Sequence, residues 1–279
     1  EPGESVLQAL SRELHEELGI EVTAATTWVT YVHKYPTTTV RLAFCRVTGW
    51  KGEPKGLEGQ ELRWVDLRYA HEQPQLLPAT YPPLRWLQLP AVYAISALGA
   101  PEHLASFLQR LDKNLAEGLR LLQWREPNWP GGVSAPDLQQ ALIAVIARCH
   151  AAGARVLVNS IHPAEWWALA DGVHLRSVDA ASLSTRPDLA VGALLGVSTH
   201  NLAELVHARA LSADFAVLGP VLPTPSHPGV PGMGWASFAE LNAQAGLPVY
   251  ALGGQSAATL DLVRSVGGHG FAGIRAWIA

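Results

Sequence analysis

Residues 194–221 read LLGVSTHNLAELVHARALSADFAVLGPV, and their pattern decides the fold of most of the chain. Two short apolar runs, at 194–198 and 215–221, have the length of strands and end at turn residues. The stretch between them, 202–210, reads as a helix. Strand, helix and strand in succession is the repeating unit of a parallel sheet, whose neighbouring strands need a long crossover.

The same unit recurs on both sides. Apolar runs at 93–96, 119–124, 155–159, 172–175, 248–252 and 270–274 join the first two, and helical stretches at 101–117, 136–151, 164–169, 235–243 and 257–266 lie between them. Eight such units in near-strict alternation imply an α/β fold, a compact (β/α)8 TIM barrel. Its final helix is cut off at Ala279.

The region before the barrel follows a different rhythm. Leu7, Leu10, Leu14 and Leu18 sit at helical spacing within 5–18, and Gly19 is placed to stop that helix. Strands are expected at 26–31 and 40–47, then a Gly/Pro turn over 51–59 and a short strand at 62–65. This is a small α+β domain. Pro82-Pro83 and Pro90 interrupt any continuous element, which puts the boundary near 82–90 and divides the chain into 1–90 and 91–279.

Composition narrows the classes of function. Of 279 residues, 48% are apolar and 16% charged, the balance of a globular protein. No apolar run approaches the ~20 residues that cross a bilayer. A net charge of −4 without a Lys/Arg run argues against a nucleic-acid polymer as partner. Cys45 and Cys149 are far apart and lack metal-ligand spacing, so a reducing cytoplasm is expected. The chain opens at Glu1-Pro2-Gly3-Glu4 without a signal-peptide pattern and reads as a piece of a longer protein.

Glu13, Glu16 and Glu17 stand at i, i+3 and i+4, so three carboxylates share one stripe of the first helix. Like charges so close disfavour one another unless a cation joins them, and a hard divalent ion is the natural one. Arg12 can orient Glu4 or Glu17.

The order Glu4, seven residues, then Arg12-Glu13-Leu14-His15-Glu16-Glu17-Leu18-Gly19-Ile20 resembles the Nudix box. Trp50-Lys51-Gly52-Glu53-Pro54, Leu57-Glu58-Gly59-Gln60 and Arg63-Trp64 extend the likeness to the MutT branch over 1–90. The resemblance implies a partial Nudix domain that hydrolyses nucleoside triphosphates to a monophosphate and pyrophosphate. Mg2+ or Mn2+ on Glu13, Glu16, Glu17 and Glu58 would supply the metal, and Arg12, Glu13, Glu17 and Glu58 the catalysis. Glu13 and Glu58 are both candidates for the base. Where MutT enzymes that prefer 8-oxo-dGTP carry Pro-Ala-Asn, this chain has Pro78-Ala79-Thr80, and Thr80 lacks the paired donor and acceptor of an amide.

The barrel resembles thiamine phosphate synthase and its thiazole tautomerase relatives. The likeness rests on Gly196-Val197-Ser198-Thr199-His200, Leu218-Gly219-Pro220-Val221, Pro223-Thr224, Ala251-Leu252-Gly253-Gly254, Gln123-Trp124-Arg125-Glu126 and Asp171-Gly172-Val173-His174-Leu175. By resemblance, Gln123, Arg125 and Asn159 contact a pyrimidine diphosphate and Asp179 binds Mg2+. Ser198, Thr224 and Ser226 line the site, His200 shuttles protons, and Gly253-Gly254 offer N–H groups to a phosphate. Thiamine phosphate or thiazole phosphate would be the ligand. The family's charged positions differ at Pro127, Ser160, His227 and Arg275, which implies an altered site with weakened diphosphate chemistry.

Overall fold

The computed structural model describes residues 3–73, 76–224, 229 and 231–274. Helix α1 (Val6–Leu18) begins at Ser5, whose hydroxyl accepts the Gln8 N–H while the Gln8 side chain accepts the Ser5 N–H. This reciprocal pair satisfies donors that a helix start leaves open. Strands β1 (Glu21–Lys34) and β2 (Thr39–Lys51) form an antiparallel ribbon from Glu21↔Lys51 to Lys34↔Thr39. Both run beyond the expected 26–31 and 40–47 because Thr- and Val-containing flanks continue the pairing on a half-exposed surface. The strand expected at 62–65 does not form. Trp64 is 84% exposed, so that run has no apolar face to bury, and Arg63 closes onto Glu61 instead.

Pro82 and Pro83, expected to interrupt, instead open helix α2 (Tyr81–Leu87). Proline is tolerated in a first turn because the N–H it lacks would have no helical partner there. Beyond α2, β3 (Val92–Ile95), β4 (Leu121–Trp124), β5 (Arg155–Asn159), β6 (Gly172–Leu175), β7 (Leu194–Thr199), β8 (Phe215–Leu218), β9 (Val249–Leu252) and β10 (Gly270–Gly273) make a closed parallel barrel. The seam pairs Phe271 with Val92. Helices α3 (Leu104–Ala116), α4 (Pro136–Ala151), α5 (Ser177–Ala181), α6 (Leu202–Ala210), α7 (Gly234–Ala245) and α8 (Leu260–Ser265) occupy the connections. Two stretches expected as helix differ: 164–169 is a 3-10 helix, and 257–266 divides into a 3-10 turn and α8. Short connections favour the tighter helix. The cut-off final helix lies outside the described residues.

The barrel interior is filled by Tyr93, Leu121, Leu157, Leu194, Phe215 and Tyr250, with Phe215 edge-on to Tyr93 and to Tyr250 at 5.1 Å each. Trp28 and Val29 of β1, with Trp86 and Leu89, belong to the same core. The ribbon is therefore the barrel's floor. Arg46 of β2 lies 4.6 Å over the Trp28 ring and donates to the Gly268 carbonyl and to His269 Nδ1. His269 Nε2 meets the Leu89 carbonyl at 2.9 Å, so that nitrogen carries the proton. Among the described residues no helix is long and apolar enough to cross a membrane.

Candidate functional site

The C-terminal ends of the barrel strands carry a connected set of polar side chains. Asn159 Nδ2 donates to Gln123 Oε1 (2.7 Å), and Gln123 Nε2 donates to the Tyr93 hydroxyl (3.2 Å). Tyr93 meets His174 Nδ1 at 3.2 Å, and His174 Nε2 meets Ser198 Oγ at 2.9 Å. Asn159, Gln123, Tyr93 and His174 are buried and Ser198 is half-buried. Burial first, and the charge of Arg125 second, push His174 down to about 3, so its ring is neutral. Burial pushes the Tyr93 phenol well up, so it keeps its proton.

These states fix the direction of the chain. Because Tyr93 accepts from Gln123, its own O–H donates to Nδ1, and the His174 proton sits on Nε2 and is donated to Ser198. Ser198 is thereby left with its hydroxyl proton to offer elsewhere. Gly196 permits this packing, since a Cβ there would stand 2.7 Å from His174 Nδ1 and 2.6 Å from the Phe215 ring.

Beside this chain, Asp179 on α5 is held by two side chains. Arg176 Nε reaches one carboxylate oxygen at 2.6 Å and Nη2 the other at 2.8 Å. The Ser160 hydroxyl also donates to Asp179 and accepts the Arg176 backbone N–H at 2.9 Å. Burial pushes the Asp179 carboxyl up, but the hydrogen bonds from Arg176 and Ser160 and the Arg176 charge outweigh it and hold the carboxyl below its usual range. Arg125 follows β4 half-buried. Burial lowers its pKa, Glu126 opposing and Arg176 adding to the effect. The guanidinium has no hydrogen-bond partner among the described residues.

The remaining expected positions are placed unevenly. Gly253 and Gly254 follow β9 at φ 95° and 65°. A Cβ on either would come within 2.8 Å of Pro220 or Leu222, so the turn requires glycine. The Gly253 N–H stands at the end of the β9–β10 ladder, where Leu252 pairs with Ala272, and the Gly254 N–H makes no backbone hydrogen bond among the described residues. Thr224 is half-buried on the loop after β8, and Ser226, with His227 and Arg275, lies outside the described residues. His200 stands apart from the polar chain. Its exposed ring pairs with Glu204 Oε2 at 2.9 Å.

On α1 the motif residues do not converge. Arg12 binds Glu4 at 3.1 Å, Glu13 at 2.8 Å and Glu16 at 3.1 Å. Its guanidinium holds the Glu4 carboxyl at about 2. The loop carrying Glu58 does wrap the end of α1, since Lys55 and Leu57 N–H groups bond the Leu18 and Glu17 carbonyls and Gln60 Nε2 also reaches Glu17. Even so, no group of three His, Cys, Asp or Glu side chains among the described residues stands close enough to hold a metal ion. Glu13, Glu16, Glu17 and Glu58 are thus not gathered into a cluster of three among the described residues, and Arg12 pairs with two of them. The same finding covers Asp179. The Thr80 hydroxyl donates to the Leu77 carbonyl at 2.6 Å and closes a 3-10 turn.

Tyr93, His174, Arg176 and Ser160 were not expected as a working set. A single polar residue inside an apolar strand, such as His174 in Gly-Val-His-Leu, reads as core, and its inward period-2 position and its place in the Asp171–Leu175 motif were the signals available.

Comparison with known proteins matches two families along the chain. A family profile described as thiamine monophosphate synthase matches residues 92–277, and one described as NUDIX domain matches residues 1–87. The chain is 30% identical over 188 residues to the putative thiamine-phosphate synthase 2 of Aquifex aeolicus, covering 67% of this chain and 97% of that one. It is 32% identical over 185 residues to the thiamine-phosphate synthase of Synechococcus sp., covering 65% of this chain and 50% of that protein, so it spans half that relative's length. Among solved structures, the thiamine phosphate pyrophosphorylase from Pyrococcus furiosus superposes with a TM-score of 0.50 at 22% identity, over 67% of this chain and 87% of that one, which is a likeness of fold. The chain therefore belongs to the thiamine monophosphate synthase family and carries a Nudix domain ahead of its barrel.

Proposed function

We propose that the barrel binds a phosphate-bearing thiazole or thiamine phosphate at its C-terminal mouth, and that it forms thiamine phosphate slowly if at all. The single observation that carries this reading is the polarised chain from Asn159 to Ser198, which aims a hydroxyl donor into the mouth. The Gly254 N–H and the half-buried Arg125 guanidinium supply the anion's other partners. Pro127 and Ser160 stand where the family has a lysine and an aspartate, and each lost electrostatic group costs about 3 kcal/mol of transition-state stabilisation. Calorimetric titration with thiamine phosphate tests the site. Binding in the micromolar-to-millimolar range is expected, and Ser198→Ala should weaken it by about tenfold, the effect of one hydrogen bond to a charged group. Equal affinity in the variant would remove Ser198 from the ligand.

A second reading is favoured by the complete run of motif residues from Glu4 to Ile20. The Nudix domain would hydrolyse a nucleoside triphosphate with Mg2+ or Mn2+, as Nudix domains generally use divalent metals and act on nucleoside phosphates. Metal binding would then have to displace Arg12 from Glu13 and Glu16. Release of pyrophosphate from a panel of triphosphates measures it, and Glu17→Gln should lower kcat at least ~100-fold. Undiminished turnover in that variant would remove the assignment.

A further inference from the structure

We infer that Arg176 takes the place of a divalent cation at the barrel mouth, making it a metal-free site for a phosphomonoester; this rests on the ligand-binding reading above. Asp179 faces Arg176 through a two-pronged contact, and Ser160 donates to one of the same oxygens. Such a fork-to-carboxylate pair satisfies the geometry of both partners. A hard cation would need those oxygens at its own short range, in the space the guanidinium fills. Ser160 cannot make up the charge. Its hydroxyl is directed to Asp179 and accepts from the Arg176 N–H, so while Arg176 stands there neither Ser160 nor Asp179 is open to an ion.

The charge balance then selects the ligand. Arg176 and Arg125 influence each other electrostatically, Asp179 balances Arg176, and the buried Glu126 carboxyl, pushed up by burial, lies beside Arg125, so the mouth carries at most one net positive charge without any ion. Arg176 keeps Nη1 free of hydrogen bonds among the described residues, and Arg125 keeps its whole guanidinium. A phosphomonoester suits that charge with the Ser198 hydroxyl and the Gly254 N–H beside it. A diphosphate is left more negative than the site can balance.

The test is calorimetric titration of the whole chain with thiamine phosphate in excess EDTA and in excess Mg2+, alongside counting of bound Mn2+ by electron paramagnetic resonance. Wild-type affinity should agree within about twofold between the two buffers, and Arg176→Ala should lose about tenfold in EDTA and regain much of it with Mg2+, because Asp179 is then free to hold the ion. Mn2+ stoichiometry should be the same in wild type and Asp179→Asn, yet higher by one in Arg176→Ala than in the Arg176→Ala, Asp179→Asn double variant. Collapse of wild-type affinity in EDTA, or loss of a Mn2+ from wild type on Asp179→Asn, would overturn the inference. If thiamine phosphate binds in neither buffer, the ligand reading fails, and the Mn2+ counts still decide the role of Arg176.

Discussion

On α1, Arg12, Glu13, Glu16 and Glu17 keep every residue of their motif, but Glu13 and Glu16 are exposed and pair with Arg12 in place of converging. At the barrel mouth side chains from β3, β4, β5, β6 and β7 lock into one hydrogen-bonded chain. The difference is one of construction. A motif on one helix fixes spacing along that helix and relies on other elements to gather its ligands. A barrel mouth is gathered by closure of the sheet, so it survives substitutions that change its charge.

The largest expected effect probes whether the two regions are separable at all. Trp28→Ala empties the floor of the barrel beneath Tyr93 and Tyr250, and should cost about 3–5 kcal/mol of stability. Chemical denaturation followed by tryptophan fluorescence and by far-UV dichroism should show one transition that moves to lower denaturant. Two transitions, with the later one unmoved, would mean the ribbon and barrel fold independently.

Acid sharpens the comparison, because the buried histidines belong to the barrel and its floor. His174 and His269 are both pushed down to about 3 from 6.5, by burial first and by Arg125 and Arg46 respectively. Between those values the unfolded chain binds protons that the folded chain refuses. Stability is therefore full above about pH 6.5 and falls as pH drops toward 3, by up to about 1.4 kcal/mol per pH unit for each histidine. Denaturation series at several pH values should show that slope, and His269→Gln should flatten it. An unchanged slope in the variant would mean His269 titrates normally.

The smallest effect concerns base reading on the Nudix side. The Thr80 hydroxyl bonds Leu77, so preference for 8-oxo-dGTP over dGTP should be weak, and Thr80→Asn should raise the ratio of kcat/KM values by about tenfold, the value of about one hydrogen bond. Competition kinetics with both nucleotides would show no change if the base is read by other residues.

Much of the barrel was legible because apolar strand-length runs recur with helical stretches between them, and Gln123, Asn159 and Ser198 stood in recognisable motifs. Other parts depend on contacts that no local pattern encodes. Trp28 and Arg46 read as ordinary strand residues until the ribbon meets Gly268 and His269, more than 200 positions away. Pro82-Pro83 signals a break and a helix start equally well, and tertiary packing of Pro83 and Trp86 chose the second. Arg176 gained its role from Ser160 on the preceding strand's end, so spacing along the chain could not reveal it.

On the reading proposed above, the barrel mouth holds its ligand better than it transforms it. The most direct measurement expresses the whole chain in a thiamine auxotroph while the purified protein is titrated with thiamine phosphate. Measurable binding with no support of growth is the expected result. Robust growth would contradict the claim, by showing that the altered mouth still carries pyrophosphate away at a useful rate.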